Sequence, residues 1–188
     1  MLREIELREP AALRALAHPV RIRLVGLLRR EGPLTASEAG RRIGESSGST
    51  SYHLRQLARF GLVEEAAGRG GRERPWQATA LHTAWPNVPE TPELDEASRV
   101  LERLVLGRYV ERLERWFERR SDEAPEWGEA SALGDTLLYL DVDELAALRD
   151  ALRALAEPYL ERLTRPELRP PGSRPVLFLQ VAIPDDEL

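Results

Sequence analysis

A mostly α-helical fold of the α+β class is predicted by three observations. Apolar residues recur every three or four positions through most of the chain, as on the buried face of a helix. Helix-start signals stand in front of several of these stretches: Thr35 with Glu38, Thr91, and Asp141 with Glu144. Two short runs of strand character, Leu62 to Ala67 and Trp76 to Ala80, follow the last of the early helices. The chain has 188 residues, the size of one ordinary domain or two small ones. A chain of this length buries roughly 70% of its unfolded surface, so a core needs no staples.

In order, Ile5 and Leu7 alternate with charged residues and suggest a short strand or arm. Leu13, Leu16, Val20, Leu24 and Leu27 then keep helical spacing. Pro19 interrupts that pattern and is best placed as the first residue of a new helix, where its missing N–H does no harm. The expectation is a short helix ending near Ala17 and a longer one from Pro19 to Arg30. Gly32-Pro33 makes a turn, and Thr35 caps the next helix, which ends near Ile43-Gly44. After the turn GESSG, Thr50, Leu54 and Leu57 form a buried stripe, with Phe60 at its end and Gly61 as the stop. The two strand-like runs are separated by GRGGRERP, a cationic hairpin tip.

From Leu81 to Thr91 the prolines at 86, 89 and 92 mark a linker, and a long helix capped by Thr91 is expected to about Arg120. SDEAPEWGEAS is expected to be loop, and Leu137 to Leu140 a short strand. The helix begun by Asp141 should kink or end at Pro158. A Pro-rich segment leads to VLFLQVAI, expected as a buried strand. The predicted domains are residues 1–85 and 92–188.

The net charge of −5 is unevenly placed. Residues 1–80 hold 14 Arg and 9 acids, a net of +5, and residues 81–188 hold 13 Arg and 23 acids, a net of −10. One end is therefore suited to an anionic partner and the other is not. There is no cysteine, which excludes disulfides, thiolate metal sites and thiol nucleophiles. No apolar segment follows the charged start MLREIELREP, and the run Val176 to Ile183 is far too short to span a bilayer. A cytoplasmic protein with no membrane partner is expected.

On the helix after GESSG, Ser49, Tyr52, His53 and Gln56 lie at i, i+3, i+4, i+7 and make a second, polar stripe. Its donors and acceptors begin at a helix N-terminus, which itself favours phosphate. Three short helices and a two-stranded hairpin in this order form a winged helix-turn-helix. The segments ALAHPVR (15–21), SYHLRQL (51–57) and FGLVEE (60–65) resemble the ArsR-type family of bacterial transcription regulators, with a longer C-terminal region. The resemblance covers residues 10 to 80. It implies a homodimer on a pseudo-palindromic double-stranded DNA operator. It further implies that Ser49, Tyr52, His53 and Gln56, with Ser47 beside them, face the bases, and that Arg55 and Arg59 lie nearer phosphates. Arg69, Arg72 and Arg74 on the wing would add salt-dependent, sequence-independent affinity.

Other chemistry finds less support. The histidines, His18, His53 and His82, show no ligand spacing with a carboxylate, and the helix from 92 to 120 holds no histidine. No metal and no cofactor is expected. Ser49 and His53 belong to one polar face rather than to a triad, and GRGGR does not open a helix, so no enzyme is expected. Asp141, Asp143 and Glu144 begin a helix, where acids complement the dipole. The four tryptophans are read as core, with a regulatory pocket as the alternative. The long helix is expected to carry the dimer interface through Leu94, Leu101, Leu104, Leu113 and Phe117, helped by residues 10–17. The rest of the acidic half is expected to be a small α+β region that either binds a small-molecule effector or enlarges the dimer. The rival to DNA binding is a winged-helix module that contacts another protein.

Overall fold

A computed structural model of the chain describes residues 4–67 and 74–185. Its elements are β1 (Glu4–Glu6), α1 (Pro10–Leu16), α2 (Pro19–Glu31), α3 (Ala36–Ile43), α4 (Ser47–Ala58), β2 (Val63–Glu65), β3 (Trp76–Ala78), β4 (His82–Ala84), α5 (Pro92–Arg119), α6 (Pro125–Ala130) and α7 (Val142–Thr164). The chain divides into two compact units, Met1–Gly128 and Glu129–Leu188. The boundary lies well beyond the expected linker at 81–91, because the first half of α5 packs on α1 and shares its core.

The local signals explain the first unit. Pro10 and Pro19 occupy first-turn positions of α1 and α2. The His18 Nδ1 accepts the Val20 N–H at 3.2 Å and caps α2. Thr35 and Glu38 form the expected reciprocal capping box on α3. Leu13, Leu24, Leu54, Leu57, Leu62 and Leu101 are fully buried in one core built from α1, α2, α4, the hairpin and α5. β2 and β3 pair antiparallel, Val63 with Ala78 and Glu65 with Trp76, and Leu34 bridges Trp76 from the other side. At Gly61 the chain leaves α4 with φ +68°, a left-handed conformation that only glycine adopts without strain. Thr79 Oγ1 then donates to the Gly61 carbonyl at 2.5 Å.

β4 lies inside the segment expected as a linker and pairs in parallel with β1, Glu4 with His82 and Glu6 with Ala84. Arg29 of α2 ties this edge down. Its Nε donates to the Ala80 carbonyl at 2.9 Å and its Nη2 to Thr83 Oγ1 at 2.6 Å. Burial lowers its pKa to about 10, which still leaves it cationic at neutral pH.

α5 is continuous helix over 28 residues, about 42 Å at 1.5 Å each. Leu94, Ala97, Ser98 and Leu101 are buried in the protomer's own core. Leu94 and Leu101 are thus corrected from interface residues to core residues: α1 covers them. Leu104 is partly buried at the margin of the same core. Beyond it Leu113 is half-buried and Phe117 exposed.

The second unit differs most from expectation. α7 runs through Pro158 to Thr164 instead of stopping there. Residues 121–131, which straddle the end of the first unit and are expected as loop, contain α6, whose first residue is a proline. Residues 137–140 and 176–183 lie in no strand. Strand composition needs a ladder partner, and among the described residues neither segment has one. No described residue of this unit is buried, although Tyr139, Val176, Phe178, Val181 and Ile183 are all large and apolar. The mostly α class stands, with its strands confined to the first unit.

Candidate nucleic-acid interface

α4 is built to hold one face down and offer the other. Thr50, Leu54 and Leu57 are each 0% exposed. Ser46 caps the helix by accepting the Ser49 N–H at 3.2 Å, and Thr50 Oγ1 donates to the Ser46 carbonyl at 2.9 Å. Gly40 of α3 makes this seat close. A Cβ there would stand 2.7 Å from the Glu45 carbonyl oxygen and 2.9 Å from Thr50 Oγ1, so only glycine lets the turn between α3 and α4 approach. No acidic residue lies in the first turn of α4 itself, and the Glu45 carboxylate just before the cap is held by Ser49.

The opposite face holds the residues picked out by spacing. Ser47, Tyr52, Arg55 and Arg59 are exposed, and Ser49 and Gln56 half-buried. Ser49 Oγ donates to Glu45 Oε2 at 3.1 Å. Tyr52 is 54% exposed, with its ring edge-on to His53 at 5.3 Å. His53 is turned inward from this face: its ring lies 4.6 Å from that of His18, and its Nδ1 is buried without a hydrogen-bond partner. Arg74 at the base of the hairpin forms a 3.0 Å ion pair with Glu65. Arg69 and Arg72 lie outside the described residues. His82, at the start of β4, is remote in sequence from both other histidines, and among the described residues no cluster suited to a metal occurs.

α2, α3 and α4 pack on one another, α3 against α4 most extensively, and the β2–β3 hairpin follows. A family model described as "Helix-turn-helix domain" matches residues 16–66, the stretch that runs from the end of α1 into the hairpin. Residues 16–66 are a helix-turn-helix domain. α4 is the second helix of the motif in chain order. No curated protein matches the chain. Among solved structures, one similar to part of it is the solution NMR structure of the homodimeric winged helix-turn-helix DNA-binding domain (fragment 1–100) of Mb0332 from Mycobacterium bovis, a possible ArsR-family transcriptional regulator. The two are 19% identical, the match covers 51% of this chain and 73% of that one, and the TM-score is 0.34. Among the described residues no helix is long and apolar enough to cross a membrane.

The helix-turn-helix domain contains a polar cluster that spacing did not show. His18, at the entrance to α2, and His53 of α4 meet beside Arg21 of α2, whose Nε is also buried without a partner. Burial pushes both imidazoles below their ordinary pKa; Arg21 pushes them further the same way, and Glu45 opposes it. Tyr52 stands at the outer edge of the cluster. Because the folded-state values are depressed, the unfolded chain takes up protons first as pH falls through about 6.5, the ordinary histidine value. Stability should therefore be full above that pH and decline below it, down to the depressed folded values. Urea titrations at a series of pH values should show this decline in the native chain. It should be diminished in a His18→Asn/His53→Asn variant. An equally steep decline there would assign the effect to other groups.

Proposed function

We propose that the chain is a DNA-binding transcription regulator that reads its operator with α4 and acts as a homodimer on inverted half-sites. The observation that carries this reading is the outward face of α4. Tyr52, Arg55, Gln56 and Arg59 stand on one helix whose other side is fully buried. Such a face combines groups that read base edges with groups that neutralise phosphate. His53 contributes at most the outer edge of its ring, since its Nδ1 is enclosed. The resemblance of ALAHPVR, SYHLRQL and FGLVEE to ArsR-type regulators supports the same reading. Arg69 and Arg72, with Arg74, are proposed as phosphate contacts of the hairpin.

The two-fold partner is proposed to meet the second half of α5. Leu106, Val110, Leu113 and Phe117 repeat at spacings of four, three and four residues, the seam of a two-stranded coil. Leu106, Val110 and Phe117 are exposed, and no element of the protomer's core reaches them. Control by a small-molecule effector is proposed for residues 129–188. Their exposed apolar side chains, Tyr139 and Phe178 among them, amount to surface that water solvates poorly and a ligand or partner would cover.

In-vitro selection of bound DNA followed by footprinting tests the assignment. Enriched inverted half-sites spaced by whole turns of roughly 10 bp are expected. Light scattering should give a dimer for the native chain and a monomer for Leu113→Arg/Phe117→Arg. Absence of enrichment above non-specific binding would favour a winged-helix module for a protein partner.

A further inference from the structure

A groove of about 740 Å³ opens between α2, the C-terminal end of α3 and the middle of α5. Neither α4 nor the hairpin contributes to its lining, so it is separate from the face proposed to read DNA. Its floor is apolar: Ile22 and Leu27 of α2, Ile43 of α3, and Leu104 of α5. Its walls are cationic. Seven of the fifteen lining residues are arginine and two are glutamate.

Both glutamates are already engaged. Glu31 pairs with Arg42, and Glu111 with Arg115 at 3.7 Å. That leaves Arg23, Arg30, Arg103, Arg108 and Arg112, none of which has a carboxylate partner among the described residues. Two of these are fixed in place by backbone. Arg23 donates to the Ile43 carbonyl, and Arg108 Nη1 donates to the Ile22 carbonyl at 3.1 Å. The Arg108 guanidinium lies over Gly26, where a Cβ would come within 3.0 Å of Nη2. Glycine at that position lets the side chain lie flat against α2 and keeps it part-buried.

Like charges gathered in a half-buried groove repel one another unless an anion joins them. The repulsion is visible in the groups themselves. Burial lowers the pKa of Arg108, and Arg112, Arg30 and Arg23 lower it further. Burial and Arg30 do the same to Arg112. Guanidinium forks are suited to the oxygens of phosphate and carboxylate. The volume falls in the range of small-molecule sites, which join an apolar lining to a few fixed polar groups.

We infer that this groove binds a small ligand that carries two or more anionic groups on an apolar body. The anionic groups meet Arg30, Arg103 and Arg112 along its rim, and the body rests on Ile22, Ile43 and Leu104. A DNA backbone fits less well, because the groove is concave and Arg108 is folded back onto α2 rather than projecting. The inference does not depend on the DNA-binding reading, since it concerns residues outside α4 and the hairpin.

Calorimetric titration of the full chain without DNA, at about 0.15 M salt to screen loose charge pairing, tests it with three probes. Adenosine triphosphate presents anions on an apolar body, inorganic tripolyphosphate presents anions alone, and citrate presents carboxylates. Saturable binding of adenosine triphosphate is expected, at least several-fold tighter than tripolyphosphate or citrate; equal or tighter binding of either would mean that the apolar floor holds no part of the ligand and would overturn the inference. Arg30→Gln/Arg112→Gln removes two guanidiniums that make no hydrogen bond to the backbone among the described residues, so circular dichroism should be unchanged. This variant should weaken binding by about 100-fold. Arg99→Gln, on the same helix but paired with Asp95 outside the groove, should leave it within about twofold. No saturable binding of any probe, or equal losses in the two variants, would overturn the inference. So would a result in which the double variant loses affinity only for DNA, which would make the groove a phosphate-backbone surface.

Discussion

Leu54→Ala is expected to lower the unfolding free energy of the first unit by about 3 kcal/mol, whereas Tyr52→Ala, two residues away on the same helix, should change it by no more than ~0.5 kcal/mol. The difference follows from which way each side chain points. Leu54 is 0% exposed and sits between Thr50 and Leu57, both equally buried. Alanine there removes three carbons from a packed site and leaves a cavity that the helices close only in part. Tyr52 is largely in solvent and touches mainly the edge of His53. Urea unfolding followed by circular dichroism measures both. A Tyr52→Ala loss as large as that of Leu54→Ala would mean that the two stripes of α4 have been assigned the wrong way round. The Leu54 variant should also bind DNA less well, because α4 would lose the contact that fixes its direction.

That assignment was legible in the sequence because it rests on local periodicity. Thr50, Leu54 and Leu57 declare the buried face of α4 by spacing alone, and the cap of α3 by Thr35 and Glu38 is equally local. What spacing did not show depends on partners remote in the chain. β4 is three residues long and exists through its pairing with β1 at the start of the unit. His18 caps α2 locally, but the contact of its ring with His53 requires α2 and α4 to be docked. The periodic stripe of α5 showed which residues are apolar without showing what covers them. α1 covers Leu94 and Leu101, and the stripe continues past the core to Phe117. Phe117 and Leu101 are indistinguishable by pattern, yet one is 39% exposed and the other 0%. The arginines of the α2–α5 groove were hidden for the same reason. They come from three helices and, read in order, look like ordinary solvated positions. In the second unit the error ran the other way: VLFLQVAI has strand composition, but composition cannot supply the partner that a ladder needs.

Removing two charges from α4 should alter DNA binding differently from removing one at the hairpin. Arg55 and Arg59 are exposed, one helical turn apart, and among the described residues neither has a carboxylate partner. Each is free to displace a counterion from a phosphate, which contributes about −0.9 to the slope of log affinity against log salt. Arg55→Gln/Arg59→Gln should therefore flatten that slope by roughly 2 and weaken binding to all sequences about equally. Arg74→Gln should flatten it by less than one such step, because Glu65 already sits 3.0 Å from the guanidinium and neutralises part of its charge. Gln56→Ala removes no charge, so the slope should hold while discrimination at one base position falls by about 1–3 kcal/mol. Fluorescence anisotropy with a selected site and a scrambled duplex, each over a range of salt, separates these outcomes. If the slope is unchanged in the Arg55/Arg59 variant, those arginines do not face phosphate. The outward face of α4 would then have to act on something other than the DNA backbone.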